Sequence, residues 1–434
     1  MQSRGLYVAT GVLVILGGLW YWSQHRKPSD DTSKTSADTP PAILKLDETS
    51  ITHVALTKKD SAPVILDKNS AGEWQISAPK TLRADQSAVS GLVGTVSSLN
   101  SERLVENKAA NPGQYGLAAP ALQVDISEKN NKSQKLLIGD DIPTGSAVYA
   151  QLAGDPRVFT VASYTKTSLD KTVNDLRDKR LITLDADNIS RVELIKKGQD
   201  IEFGRNKDGW QILKPKPSRA NGVEVSDLIR QLTEAKMDVS GVGASNASSA
   251  FTKATPVATA KLTDQSGTQQ LELRKAKDEY YAKSSTLEGA YKVDSALGKE
   301  AEKNLDDFRN KSLFDFGFTA PNKIEIHNGS KSYFLTRGTA GEEDWWSNGK
   351  KMDATKVNDL ISKLRDLSST AFVDSSFSNS SVQLSITSND GKRIENISIA
   401  KQGDGYLAQR KDEPTLYKLS ASSVDDLLKA ADTL

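Results

Sequence analysis

A tryptophan-bearing segment recurs three times along the chain: Gly72-Glu73-Trp74-Gln75-Ile76, then Asp208-Gly209-Trp210-Gln211-Ile212, then, more loosely, Glu343-Asp344-Trp345-Trp346-Ser347. Trp74 and Trp210 are 136 positions apart, and so are Trp210 and Trp346. Near-equal spacing of a residue that occurs only 6 times in 434 marks duplication of one structural unit. A chain of this kind folds as an array of similar units, and repetition alone places no reactive group anywhere.

The copies can be followed beyond the tryptophans. Each is followed by a turn and a helix start at Asp85, Asn221 or Asp353, whose short side-chain oxygens suit them to accept a free N–H of a first helical turn. Apolar residues then recur at intervals of three and four (Val89, Leu92, Val93, Val96; Val225, Leu228, Ile229, Leu232; Val357, Leu360, Ile361, Leu364), giving one apolar stripe per helix. Further on, Ala147–Gln151 matches Glu279–Lys283 and Gly405–Gln409, each followed by a turn and a strand carrying Phe159, Tyr291 or Tyr417, which is hairpin patterning. A second amphipathic helix is expected over Ser168–Leu176, Lys299–Phe308 and Ser422–Ala431. The first two copies leave through matching segments, Asp175–Ile182 and Asp307–Phe314.

Each unit therefore reads as about three short strands, a helix, about four more strands and a closing helix. Strands grouped in runs, with helices outside them, argue for antiparallel sheets of the α+β class rather than alternating βαβ units. The expected organisation is a membrane anchor over 1–27, a flexible tether over 28–45, and three tandem repeats over 46–184, 185–317 and 318–434.

The anchor is expected because Gly5–Trp22 carries no charge. At 1.5 Å per residue it spans roughly 27 Å, near the thickness of a bilayer core. Tyr7 near one end and Trp20, Tyr21 and Trp22 at the other suit the headgroup level. Bulky aromatics also stand where a cleaved signal peptide would need small residues. Pro28 to Pro41 is rich in Pro, Ser, Thr, Asp and Lys, a tether composition. The basic residues on the two flanks nearly balance, so orientation rests on the large hydrophilic body, which argues for export to the periplasmic side of a bacterial inner membrane. The chain has no cysteine, hence neither a disulfide framework nor a lipoprotein cysteine.

Charge and motifs narrow the functional classes. With 57 basic and 56 acidic residues there is no cationic surplus for nucleic acid. The basic cluster Arg177, Lys179 and Arg180 reads as a solvated helix end. His25, His53 and His327 are scattered, without Cys or carboxylate pairs at ligand spacing, so no metal site is expected. No phosphate-binding or dinucleotide loop and no Gly-x-Ser-x-Gly elbow occurs, and no cofactor is expected. Ser163-Tyr164-Thr165-Lys166 and Ser168-Leu169-Asp170-Lys171 both fit Ser-x-x-Lys, but neither Lys-Thr-Gly nor Ser-Asp-Asn follows, and helix capping explains them better. Glu342-Glu343-Asp344 and Asp140-Asp141 lack the pattern of a calcium loop and read as solvated turns.

The tryptophans stand at one place in every unit, as core anchors do after duplication. The doubled Trp345-Trp346 must put one ring on each face of its strand, which makes this pair the candidate binding surface.

The anchor, the tether, the Gly-Glu-Trp-Gln-Ile strand with its Ala-Asp helix start, Leu137-Ile138-Gly139-Asp140, and Phe159-Thr160-Val161 leading to Leu176-Arg177-Asp178-Lys179 together resemble the bacterial membrane-anchored family called domain of unknown function 4340. The resemblance covers nearly everything after the tether and brings no catalytic residues. It implies, by association, a partner among permease or ATPase subunits of gliding-motility-type ABC transporters. The resulting expectation is a non-catalytic envelope protein that binds or scaffolds, accessory to an ABC-type complex. Two others stand beside it: a cell-wall or polysaccharide binder using Trp345 or Trp346, and an envelope hydrolase without a recognised motif.

Overall fold

A computed structural model describes residues 41–434 apart from 144, 208 and 339–343, with the backbone alone for 241–245. The expected anchor over 1–27 and most of the tether lie outside the described residues. None of the described helices is long and apolar enough to cross a membrane. The chain divides into two compact bodies, one ending at Asp178 and the other running Lys179–Leu434. One antiparallel sheet lies in the first body and two in the second.

Sheet 1 runs, edge to edge, Leu82–Arg83, Trp74–Ala78, Val64–Lys68, Ile51–Lys58, Leu122–Glu128, Ser133–Asp141, Ala147–Leu152, Val158–Ala162 and Arg103–Glu106. Two hairpin-connected runs are thus joined where Ile51–Lys58 pairs with Leu122–Glu128. Sheet 2 repeats this order with Ser218–Arg219, Gly209–Lys214, Gln199–Asn206, Arg191–Lys196, Thr255–Asp264, Gly267–Ala276, Glu279–Ser284 and Tyr291–Val293. Sheet 3 repeats it with Lys350–Lys351, Trp345–Ser347, Lys331–Arg337, Lys323–Asn328, Val382–Ser388, Arg393–Gln402, Gly405–Arg410, Leu416–Leu419 and Ala371–Val373. The α+β class and the three sheet units are as expected from the sequence.

The described helices, in chain order, are α1 (Gln86–Ser97), α2 (Ser163–Leu169), α3 (Val173–Leu176), α4 (Gly222–Thr233), α5 (Gly241–Lys253), α6 (Ser295–Glu302), α7 (Leu305–Phe308), α8 (Ala354–Asp366) and α9 (Ala421–Asp432). Asp85 Oδ1 accepts from Ser87 N and Ala88 N, both at 3.0 Å; Asn221 Oδ1 accepts from Val223 N at 3.1 Å; Asp353 Oδ1 accepts from Thr355 N at 2.8 Å. Side-chain acceptors therefore satisfy first-turn donors that the helices themselves cannot.

Alternation builds the sheets. In Val382–Ser388 every second residue is buried, and in Leu122–Glu128 Leu122, Val124 and Ile126 are. Each sheet closes its own core: Trp74, Ile76, Leu92 and Phe159 in the first; Trp210, Ile212, Leu228 and Phe308 in the second; Trp345, Leu360, Ile399 and Tyr417 in the third. At Gly298 in α6 the Tyr280 ring would stand 2.1 Å from an added Cβ, so only glycine allows the helix to lie so close to its sheet.

Several elements differ from expectation. The closing helix of the first two units is not continuous: α2 gives way to α3, and α6 to α7. At each break a capping box starts the second piece, Thr172 with Asp175 and Asn304 with Asp307. The segment after each tryptophan strand forms a two-residue edge strand rather than only a turn. The strand Arg103–Glu106 or Ala371–Val373 adds a further edge. In the second unit the same edge begins, Asp238 N donating to Lys292 O at 3.0 Å, but the chain then turns into α5. There Ala247 and Phe251 pack on Tyr281 and Ala290, apart from the main core. The tryptophan correspondence also shifts by one. Trp74, Trp210 and Trp345 lie opposite Lys68, Arg205 and Arg337, so Trp345 rather than Trp346 is the counterpart of Trp210. The 136-residue spacing to Trp346 reflects a third copy one residue out of step.

Within the second body the segment after α7 is held on both sides. Arg309 forms a bridge with Ala220, and Asn310 N donates to Arg219 O at 3.0 Å. Ser312 then bridges Ser368, Leu313 N donates to Leu367 O at 3.0 Å, and Ser369 N donates to Lys311 O at 2.8 Å. Leu313 and Phe314 enter the third core.

Candidate functional site

Four of the buried charges of the second body, Arg219, Glu395, Arg410 and Glu413, gather around that segment. Arg219 ends the edge strand Ser218–Arg219 of sheet 2 and reaches into sheet 3. Its Nε donates to Glu413 Oε1 at 2.5 Å, its Nη2 to the Ser312 carbonyl at 2.5 Å and to the Tyr417 hydroxyl at 3.1 Å, and its Nη1 lies 2.7 Å from Asp315 Oδ2. Arg410, only 3 % exposed, donates through Nη1 to Glu395 at 3.0 Å and to the Leu313 carbonyl. Its Nε is 3.0 Å from Glu413 Oε1, and its Nη2 is 3.1 Å from Asp412 Oδ2. Tyr417 donates to Glu413 Oε2 at 2.7 Å, and the backbone N–H of Asp315 donates to Glu395 at 3.0 Å. Glu413 thus accepts from the Arg219 guanidinium and the Tyr417 phenol and is ion-paired with Arg410.

A buried charge is tolerated only when paired and hydrogen-bonded, and the titration behaviour follows from that. Burial alone would lower the pKa of Arg219, but Tyr417, Glu413 and Asp315 raise it above the ordinary arginine value. Burial and the neighbouring Arg219 oppose the charge on Arg410, yet Asp412 and Glu395 also raise it. Burial pushes the Tyr417 phenol up, against the pull of Arg219. The cluster consists of permanent cations, an un-ionised phenol and carboxylates already accepting bonds. It is chemically fitted to join two sheet units.

Beside it opens a cleft of about 440 Å³ lined by Trp210, Arg219, Asp315, Arg393, Glu395 and Asp412, among others. In the first body Arg83 holds the place that Arg219 has in sheet 2 and lies 3.8 Å from Asp178.

The residues singled out from sequence fall elsewhere. Trp345 is 4 % exposed, in the core; Trp346, on the other face of its strand, is 36 % exposed. His53 Nδ1 lies 2.7 Å from Asp67 Oδ1 on the neighbouring strand, and His327 Nδ1 lies 2.9 Å from Ser332 Oγ. Ser163 does not cap α2: the cap position is Ala162, without a side-chain bond, and Lys166 Nζ turns to Asp141 Oδ1 at 3.0 Å. Glu342 and Glu343 lie outside the described residues, and among the described ones no three His, Cys, Asp or Glu side chains converge as metal ligands would. The Arg219–Glu413 pair escapes a sequence reading because its members are 194 residues apart and belong to no motif. The one signal was Tyr417, a polar ring where the first unit carries Phe159.

A search of curated proteins and one of solved structures each returned no match. A family model described as a domain of unknown function (DUF4340) matches residues 74–262 and 254–385. The first match opens on the Trp74 strand and the second ends in the strand Val382–Ser388, so each runs across a boundary between sheet units. With most of its length matched in this way, the chain belongs to the family described as domain of unknown function DUF4340.

Proposed function

We propose that this chain is a non-catalytic binding or scaffolding protein of the bacterial envelope, held in the inner membrane by residues 5–22 with its body on the periplasmic side, and accessory to an ABC-type transporter complex. The observation that carries the reading is the use made of the buried charges. Arg219, Arg410, Glu413 and Tyr417 bind one another and fix the third sheet unit against the second, which favours a preformed surface over a reactive centre. The uncharged stretch with aromatic ends supports the anchor. The transporter association is the one implied by the family resemblance.

The test is crosslinking and affinity capture of the tagged full-length chain from native membranes, with partners identified by mass spectrometry. Reproducible recovery of permease or ATPase subunits is expected. Their absence from a crosslinked, intact preparation overturns the accessory role.

A further inference from the structure

Sheet 3 turns one face to α8 and α9 and leaves the other open. Across the open face the pairing aligns Ser332, His327, Gln383, Ser398 and Gln409 in one row. The adjacent row brings Phe334, Glu325, Ser385 and Asn396 into line. These rows floor a hollow of about 490 Å³. That volume falls within the roughly 300–1,000 Å³ of small-ligand sites, but its lining is mostly polar: hydroxyl, amide and imidazole groups, with Glu325, Arg410 and Lys411 beside them. The side chains of Gln383, Ser385, Asn396, Ser398 and Gln409 make no hydrogen bond to another described residue, so their donors and acceptors remain available. At one side stand two exposed rings, Phe334 (41 %) and Trp346, with His327 edge-on to Phe334 at 5.4 Å between centroids.

The matching face of sheet 2 is different in kind. There Arg191 lies 2.9 Å from Glu202 and 3.2 Å from Glu193, Lys214 lies 2.7 Å from Glu202, and Arg274 lies 2.7 Å from Glu272, so the charges satisfy one another. Phe251 of α5 also lies on it, with the Arg274 guanidinium 4.5 Å from its ring centre.

The geometry points to the open face of sheet 3 as the binding site of a neutral glycan strand. Sugar hydroxyls both donate and accept, as do the unpartnered amides and hydroxyls, and sugar C–H faces lie well on exposed aromatic rings. An acidic polymer or nucleic acid would require a run of free cations, whereas of the two cations in the lining Arg410 is engaged in the buried cluster and Lys411 stands alone. A peptide docking through apolar side chains would find no apolar pocket on this floor. The inference is independent of any transporter association.

The test is titration of the full-length chain in detergent with three neutral hexasaccharides (β-1,4-linked N-acetylglucosamine, β-1,4-linked glucose and α-1,4-linked glucose), followed by calorimetry and tryptophan emission, with polygalacturonate as the acidic comparison. At least one neutral hexasaccharide is expected to bind more tightly than polygalacturonate. The double variant Gln383→Ala/Asn396→Ala, at surface positions, is expected to weaken that binding roughly tenfold, since it removes two hydrogen-bonding groups. Trp346→Ala should also weaken it and abolish the emission change, while Glu193→Ala on sheet 2 should leave it unchanged. Failure of all three neutral sugars to bind, preferential binding of polygalacturonate, or affinity indifferent to the double variant overturns the proposal. Capture of transporter subunits by the same double variant is expected to equal that of the parent chain, so the two readings can fail separately.

Discussion

Glu413 receives hydrogen bonds from Arg219 and Tyr417 and lies against Arg410, so each partner's removal leaves a buried charge short of its counterpart. Replacing Arg219 by Met takes one cation from both Glu413, which keeps Arg410, and Asp315; breaking a buried pair from one side typically costs about 3–5 kcal/mol. Arg219→Met should lower the stability of the second body by that order in chemical denaturation, and adding Glu413→Leu should restore part of the loss. A loss under 1 kcal/mol would mean that the cluster is solvated in solution. Glu202 gives a pH signature. The Lys214 ammonium, and then Arg191, hold its carboxyl below the usual carboxylate range although burial pushes it upward. A carboxylate with a folded pKa below its unfolded one stabilises above the unfolded value, near pH 4, and loses that contribution as pH falls toward the folded value. Denaturation midpoints measured from pH 6 to pH 2 should therefore fall less steeply in Glu202→Gln than in the parent, and parallel curves would refute the assignment.

At the scale of elements, the legible features were those with a local cause. The caps Asp85, Asn221 and Asp353 stand immediately before apolar stripes of helical period, and both the oxygen and the stripe can be read from adjacent letters. Asp353→Ala should cost about 1 kcal/mol and lower the unfolding temperature of the third unit, a change that calorimetry resolves. The features missed were set by distant contacts. Two residues such as Leu82–Arg83 are too few for alternation to register, and they become a strand only because Trp74–Ala78 offers an edge. The breaks before α3 and α7 lie inside continuous amphipathic patterns, and only the reciprocal bonds of Thr172 with Asp175 and of Asn304 with Asp307 reveal them. Helix α5 carries little apolar periodicity and finds its place by laying Phe251 on Tyr281. Outside the buried cluster, Trp345 and Trp346 were legible as one inward and one outward ring, because strand alternation is local. The open amide row of sheet 3 was not, since it draws one residue from each of five strands.

For the molecule as a whole, repetition produced three separate cores, yet the second and third are joined by backbone bonds, ion pairs and apolar side chains. Hydrogen exchange on the full chain should therefore show amides of sheets 2 and 3 opening with similar free energies. In Arg219→Met the third sheet should exchange ahead of the second; identical protection in the variant would show that backbone pairing alone couples them. The segment Arg309–Leu313, bonded backward to Arg219 and Ala220 and forward to Leu367 and Ser368, also has a mechanical meaning. Tension passing between the second and third sheet units runs through this short clip, and the guanidinium of Arg219 crosses the same gap. A pull on the second body would load strands and charges together, so the sheets would be expected to part in one abrupt step instead of paying out slack between them.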